Sequence, residues 1–424
     1  MSVNYKIPID EALLNLDEAL RNIDQNYSSC EPQRLNKLKR SVKNVEPILR
    51  RKNGLSNSNI TKVNSAAIDT LLYIVNFEDS LGFAILSADK RIPSTVLAVI
   101  DSGNVNSSFF TGNKETIDLN KFNLYNAEKD EYYVGSFGQV APELIYDYAE
   151  GSIDGGGGTV STVTVYDNWQ IKEKVTPLLS TLWHQGAPFN NNCPLYGSKR
   201  APAGCVAVAV AQIMVFHEFP KTLYCDGYFC EWSEMKKINS KTNVSYTGTY
   251  TTQNEVSHFL WNVGGWCNMT YTADWSFALP SSAKNCMSIY GYQNLELNTS
   301  LLDNSAYNET SVINMLKNNN PVFIAAISGV TDGHAWVLDG YVKRARTVRT
   351  VNSLNGSTLS SRTENETLIH CNWGWNGYCN GYYMSGIFNL NNGSTYRESY
   401  ETNYSNNLNF TWEFNLIKYT NPNI

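Results

Sequence analysis

The feature that most constrains the fold is an apolar segment, Val206–Met214, that follows directly on Gly204 and Cys205 in the middle of the chain. Its small apolar residues leave a helix almost no polar face, so that helix must be surrounded by protein. Cys205 then lies in the first turn, where unpaired N–H groups and the helix dipole favour the nucleophilic thiolate. A small buried apolar cysteine is the alternative. Cys205 is therefore a candidate nucleophile.

A cysteine nucleophile needs a base, and His334 is the best placed of the five histidines. The segment 320–328 predicts a buried strand, a turn ends at Gly333, and a second strand leaves from His334. A histidine at the mouth of such a hairpin is positioned to face a cleft. The alternative is a loop histidine with a purely structural role.

A third group should orient the imidazole, and Asn372 supplies an amide for this. An amide oxygen that accepts from one ring nitrogen fixes the tautomer, while Trp373 and Trp375 shield the contact from water. A strand-end asparagine in a turn is the alternative. The order Cys, His, Asn, with about 130 residues between the first two, is that of papain-like thiol proteases.

Such chemistry also needs donors for an oxyanion. The backbone N–H of Cys205 is one candidate because it opens a helix. The side-chain amide of Gln185, twenty residues earlier, is the second. A glutamine before a turn is by itself a weak signal.

Together these segments resemble the streptopain family of bacterial papain-like cysteine proteases. The matching motifs are Gln185-Gly-x-Pro-Phe-Asn, Gly204-Cys205-Val-Ala-x-Ala-x-Ala-Gln212-Ile-Met, Gly333-His334-Ala-x-Val-x-Asp339-Gly340 and Asn372-Trp-Gly-Trp375. The resemblance implies an α+β, papain-like protease domain whose helical part carries the cysteine and whose antiparallel β part carries the histidine. It makes Cys205 the nucleophile, His334 the base and Gln185 the oxyanion donor, with Asn372 and Trp373 supporting the histidine.

The resemblance also implies a substrate-binding set, composed of Gly333, Ser328, Ser276 and Phe277. Relatives carry a Gly/Ser-rich cleft loop where this chain has the bulkier segment 272–279, and a glycine-rich loop where it has the polar segment 391–399. These departures predict a more enclosed cleft and a narrower substrate preference.

The N-terminal half has an α+β pattern of its own. Residues 10–21 have helical periodicity, 71–91 predict a hairpin around a turn at 78–80, 95–100 predict a third strand, and 119–148 are expected to be partly helical. The segment 71–91 is similar to the propeptide of streptopain-like zymogens. We therefore assign residues 1–150 to a small α+β propeptide domain that inhibits the enzyme.

A glycine-rich stretch, 151–162, separates the two halves. Such a stretch is flexible and open to proteases, as an inert linker or an activation loop would be, and composition does not distinguish the two. The family resemblance favours an activation loop over an inert linker. The expected organisation is a propeptide at 1–150, a flexible activation linker at 151–174 and a catalytic domain at 175–424.

Composition and spacing argue against several kinds of partner and site. The net charge of −6 gives no reason to expect nucleic acid as a partner, and no apolar run is long enough for a membrane helix. None of the nine cysteines are spaced Cys-x-x-Cys, so we expect neither a metal site nor a cofactor. Pairing of Cys225 with Cys230, or Cys371 with Cys379, stays open. The start shows no signal peptide, so either a signal has been removed or the protein stays inside the cell. Since the relatives are exported, we expect the first, and therefore a secreted or cell-surface protein.

Three functions follow. The first is a cysteine endopeptidase that cleaves protein or peptide substrates and is made as a zymogen. The second is a narrow-specificity processing protease or amide transferase on the same scaffold. The third, a non-catalytic binding module, is disfavoured because every catalytic element is present.

Overall fold

One antiparallel sheet runs through the computed structural model and joins the N-terminal half of the chain to the half that carries Cys205. The structure describes residues 6–24, 40–51, 68–90, 92, 94–105, 162–238, 250–299, 307–328, 332–386, 388–389, 409–410 and 412–423. The chain is mixed α/β.

The strands within these ranges are β1 (Val42–Arg51), β2 (Ile68–Phe77), β3 (Phe83–Ser87), β4 (Val96–Ile100), β5 (Thr162–Tyr166), β6 (Gln170–Val175), β7 (Leu195–Tyr196), β8 (Lys199–Arg200), β9 (Tyr224–Cys225), β10 (Tyr228–Phe229), β11 (Thr270–Tyr271), β12 (Ser276–Phe277), β13 (Gln293–Thr299), β14 (Val322–Ser328), β15 (Asp332–Asn352), β16 (Thr358–Asn372), β17 (Gly381–Met384), β18 (Phe388–Asn389), β19 (Asn409–Phe410) and β20 (Trp412–Thr420). The helices are α1 (Ile9–Asp24), α2 (Cys205–His217), α3 (Trp232–Met235), α4 (Tyr250–Trp266), α5 (Pro280–Ile289) and α6 (Glu309–Lys317).

The main sheet has the order β1-β2-β3-β4-β17-β16-β15-β14-β20-β13. The long strand β15 organises it. One side of β15 pairs with β16, while the other side pairs in turn with β14, β6 and β5. His334 lies near the start of this strand, opposite Ala326 of β14.

The apolar helix predicted from the sequence is α2, and it begins at Cys205. Nearly all of its residues after Cys205 are buried, as a helix without a polar face requires. It packs against β15 and β14 on one side and against α4 and α5 on the other. The cysteine therefore starts a central helix, and the histidine lies in an antiparallel strand beside it.

In the N-terminal half α1 covers β3 and β4, and the core formed there also includes Val342, Leu368 and Tyr382 of the catalytic half. The predicted hairpin is confirmed as β2 and β3 around a 3₁₀ turn at Glu78–Ser80, the third strand as β4, and the helix as α1. The sequence did not indicate that β4 also pairs with β17. A side chain on Gly381 would put its Cβ 2.3 Å from the Val99 carbonyl oxygen, so glycine permits this close approach.

The expected linker at 151–174 needs a correction. Its second part forms β5 and β6, which pair with β15, so residues 162–174 belong to the sheet. The alternating β-branched residues of Thr162–Tyr166 favour a strand, and the glycines end at Gly158. The glycine-rich part, the expected helix at 119–148 and the polar loop at 391–399 lie outside the described residues.

Candidate active site

Cys205 is placed at the N-terminus of α2 by a turn that only glycine fits. Gly204 has a φ of 93°, and a Cβ there would lie 2.1 Å from the Met269 methyl carbon. No side chain caps this end of the helix, so its N–H groups point toward the thiol end. The thiol is half-buried, whereas the other described cysteines are buried. Cys205 is thus the accessible thiol among the described residues.

His334 is buried, with 7% of its surface exposed, and its ring is held by a backbone group. Its Nε2 lies 2.9 Å from the Trp373 carbonyl oxygen. A carbonyl can only accept, so Nε2 carries the hydrogen and, in the neutral ring, Nδ1 carries the lone pair. The Trp373 carbonyl therefore fixes the tautomer that a general base needs.

Three tryptophan rings surround this imidazole. The ring centroids of Trp336, Trp373 and Trp375 lie 6.2, 6.0 and 4.6 Å from that of His334. Burial lowers the pKa of His334 to about 4, although the Trp373 carbonyl opposes this by favouring the protonated ring. Because Nε2 is held by the Trp373 carbonyl, Nδ1 is the ring nitrogen left to take up a proton.

The turn that carries Trp373 packs on the same helix as Cys205. A Cβ on Gly374 would lie 3.1 Å from Val208 Cγ1, and Gln212 Nε2 donates to Asn372 Oδ1 at 3.2 Å. Val208 and Gln212 follow Cys205 by three and seven positions, which puts all three on one face of α2. The histidine-binding turn and the thiol therefore share that face.

Asn372 acts differently from the expectation. Its Oδ1 accepts from Gln212 and from the Gly374 N–H, and its Nδ2 donates to the Thr181 carbonyl at 2.8 Å. The prediction that Asn372 accepts from the imidazole is wrong, because the acceptor at Nε2 is the carbonyl of the next residue. Gln212 is the partner that the sequence analysis missed. A glutamine inside an otherwise apolar helix was the available signal.

We expect Asn372→Ala to lower stability more than turnover. The change leaves the buried Gln212 amide and the Thr181 carbonyl without their partner, at a cost of about 1–3 kcal/mol for each group. The Trp373 carbonyl still holds His334. Urea unfolding should show a loss of at least about 2 kcal/mol, while exposed Asn191→Ala, the control, should change stability by less than about 0.5 kcal/mol. A loss of turnover with unchanged stability would contradict this assignment.

Gln185 lies close to the start of α2. Its backbone carbonyl accepts from the N–H of Ala203 at 2.8 Å, two residues before the cysteine. The residue is half-buried. This hydrogen bond uses only backbone atoms, so the role of the Gln185 side chain as oxyanion donor stays a prediction.

The expected substrate-binding residues fall into two groups. Ser276 and Phe277 form β12 beside Gly204, where Ser276 Oγ donates to the Pro202 carbonyl at 2.7 Å and so anchors the hairpin. Phe277 is 52% exposed. Gly333 is exposed and immediately precedes His334, while Ser328 pairs with Asp332 at the end of β14. The hairpin and the His334 strand thus supply surfaces near both candidate catalytic residues.

The described residues contain no group of three or more His, Cys, Asp or Glu side chains arranged to hold a metal ion. No disulfide joins Cys225 to Cys230 or Cys371 to Cys379.

Residues 183–383 match the model of the peptidase C10 family. The match includes Gln185, Cys205, His334 and the Asn372-Trp373 pair. The chain is 26% identical to the thiol protease/hemagglutinin PrtT of Porphyromonas gingivalis over 250 residues, which are 52% of this chain and 25% of that protein. It is 24% identical to streptopain of Streptococcus pyogenes over 353 residues, 75% of this chain and 74% of streptopain.

Two solved structures are similar. A fragment of prointerpain A of Prevotella intermedia aligns with a TM-score of 0.48 and 20% identity, covering 88% of this chain and 98% of the fragment. Active interpain A of the same organism aligns with a TM-score of 0.42 and 22% identity, covering 58% of this chain and 95% of interpain A.

Proposed function

We propose that the chain is a cysteine endopeptidase of the peptidase C10, or streptopain, family, in which Cys205 is the nucleophile and His334 the general base. One observation carries the proposal. The turn that binds His334 through the Trp373 carbonyl packs on the face of α2 that begins with Cys205. A papain-like arrangement of a helical and a β part accounts for this placement.

In the proposed mechanism, Nδ1 of His334 accepts the thiol proton and the thiolate attacks the scissile carbonyl carbon. The negative oxygen that forms is stabilised by the N–H of Cys205 and the side-chain amide of Gln185. The C–N bond then breaks as His334 returns its proton to the leaving amine, which leaves a thioester. Water, deprotonated by His334, hydrolyses the thioester and restores the thiol.

We further propose that residues 1–150 form an inhibitory propeptide. The contacts that support this are those of the N-terminal half with the catalytic half. Besides the pairing of β4 with β17, the Trp169 N–H donates to Glu18 at 3.1 Å and the Lys174 ammonium group donates to the Asn22 carbonyl at 2.9 Å. A tethered inhibitor has a high effective concentration, so contacts of modest strength suffice until the tether is cut.

A time course of the purified chain with casein tests these proposals. We expect a latent precursor that gains activity as the linker is cut, with the new N-terminus before Thr162. A cut further on would remove β5 or β6, whose backbone groups pair with β15. Gel analysis and N-terminal sequencing provide the measurement.

The control for this experiment is the same chain with Cys205→Ala, which should stay uncut if processing is self-catalysed. Full activity of the uncut chain would contradict the inhibitory role, and a new N-terminus beyond Thr162 would contradict the proposed cleavage region.

The alternative is a processing protease of narrow specificity or an amide transferase on the same scaffold. The exposed rings of Trp275 and Phe277 beside the start of α2 favour a selective cleft. Casein separates the two proposals, since an enzyme whose Cys205 is reactive but which leaves casein intact would be the selective one.

We also propose that the protein is secreted or attached to the cell surface, as the family resemblance implies. Within the described residues, no helix has the length and apolar character needed to cross a membrane.

A further inference from the structure

A chain of alternating charges connects the two halves of the molecule beside the sheet. In the catalytic half, His370 Nδ1 lies 2.6 Å from Asp339 Oδ1, and the side chain of Asp339 is fully buried. On the other side of the ring, Nε2 lies 3.2 Å from Oδ2 of Asp101, which belongs to the N-terminal half. Asp101 Oδ1 then accepts from Arg40 at 3.0 Å, and Arg40 also contacts Asp24.

With a carboxylate at each ring nitrogen, both nitrogens of His370 must donate, so the ring is an imidazolium. Burial lowers the pKa of His370, but Asp339 and Asp101 overcome this effect and raise it to about 9. The ring of Tyr382 also faces His370, at a centroid distance of 5.0 Å. The Arg40 side chain, which is 3% exposed, pairs with Asp101 on the far side of that carboxylate from His370.

The backbone brings Asp101 to this place. Asp101 follows directly on Ile100, the last residue of β4, and Ile100 pairs with Gly381 of β17. The Asp101 N–H donates to the Asn380 carbonyl at 2.9 Å, which continues the pairing by one residue. The backbone pairing with β17 therefore determines the position of the Asp101 carboxylate.

We propose that the β17 edge, with His370 and Asp339 beside it, is a docking site for an extended segment whose last residue is an aspartate. The occupant is Val96–Asp101, and the side-chain carboxylate of Asp101 meets His370. The strand supplies backbone hydrogen bonds, and Asp101 supplies the charge that selects the register. This proposal deepens the proposed function and rests on it only in treating the N-terminal half as a removable inhibitor.

The site makes docking depend on pH. Loss of Asp101 on undocking removes one of the two carboxylates that hold the proton on His370, so its pKa falls. The pKa of His370 is thus higher in the docked state than in the undocked state. Below the undocked pKa, protonated His370 contributes its full stabilisation to docking, and this contribution is lost as pH rises through the docked pKa. Docking should therefore weaken as pH rises toward and through about 9.

The test uses the full-length chain with Cys205→Ala, so that no processing occurs, and compares Asp101→Asn with the control Asp79→Asn. Asp79 is an exposed acidic residue of the same half with a φ of 53°, a conformation that asparagine tolerates. Hydrogen exchange of the amides of β4 and β17 measures opening between pH 6 and 10, after correction for intrinsic exchange.

We expect Asp101→Asn to speed this exchange by about tenfold or more at pH 7, the effect of losing one charge-assisted hydrogen bond. The control should match the parent. In the parent and the control, protection should fall as pH rises toward about 9, whereas the Asp101→Asn chain should lack this step. Equal exchange in both variants would overturn the proposal, as would acceleration spread evenly over β1, β2 and β3, since that would report unfolding of the N-terminal half.

A second measurement does not depend on the variant folding. In the parent, the His370 ring proton followed by NMR should titrate well above the ordinary histidine pKa of about 6.5. A value near 6.5 would overturn the proposal. Both readouts are independent of catalysis, so an absence of peptidase activity would refute the proposed function and leave this docking site to stand or fall on its own.

Discussion

Replacement of Cys205 by alanine is expected to reduce hydrolysis of casein by about 10⁴-fold or more, the scale seen when a catalytic nucleophile is removed. The fold should be unaffected. The side chain is half-buried at the first position of α2, and alanine is a good helix residue. Initial rates are compared after an added protease has cut the glycine-rich linker in both proteins, with unfolding curves as a check on stability.

Cys193→Ala is the matched control for this prediction. Burial raises the pKa of the Cys193 thiol to about 12, with Arg200 opposing the effect, so this cysteine stays protonated and unreactive near neutral pH. Its loss should cost some packing but leave turnover within a few-fold. If Cys205→Ala retains turnover while Cys193→Ala loses it, Cys205 is not the nucleophile.

Replacement of Gln185 by alanine is expected to reduce turnover by about a hundredfold or more with little change in stability. The proposed role of this side chain is to donate to the oxyanion, and loss of one such donor has an effect of this size. The structural role of the residue is carried by its carbonyl, which accepts from Ala203 and is unchanged in the variant. Most of the loss should appear in kcat.

Gln293→Ala, at an exposed position of β13, serves as the control and should behave as the parent. Unchanged turnover in Gln185→Ala would show that Gln185 serves only in the turn before α2. A large loss of stability would assign its effect to packing.

The parts of the site that the sequence predicted are those set by local chemistry. The apolar segment after Cys205 could only be a buried helix, and the hairpin around Gly333 placed His334 at its mouth. The parts that it could not predict depend on backbone contacts between distant segments. No sequence pattern distinguishes the carbonyl of Trp373 from the amide of Asn372 as the acceptor for the ring, because any residue has a carbonyl.

The same limit applies to the joining of the two halves. The composition change at Gly155–Gly158 indicated a boundary, yet pairing of β4 with β17 depends on a match between strand edges that neither strand reveals alone. His370, which no sequence motif singled out, bridges the halves only because of that pairing.

The measurement that tests the central claim most directly is the rate of alkylation of Cys205 by iodoacetamide, with and without His334→Ala, after an added protease has cut the glycine-rich linker in both proteins. An ordinary cysteine thiol has a pKa of about 8.5 and is almost wholly protonated at pH 6. If Cys205 and His334 act as a pair, the parent should be alkylated at pH 6 far faster than a free thiol, while His334→Ala should react as slowly as a free thiol. Equal, slow alkylation of Cys205 in both proteins would contradict the account.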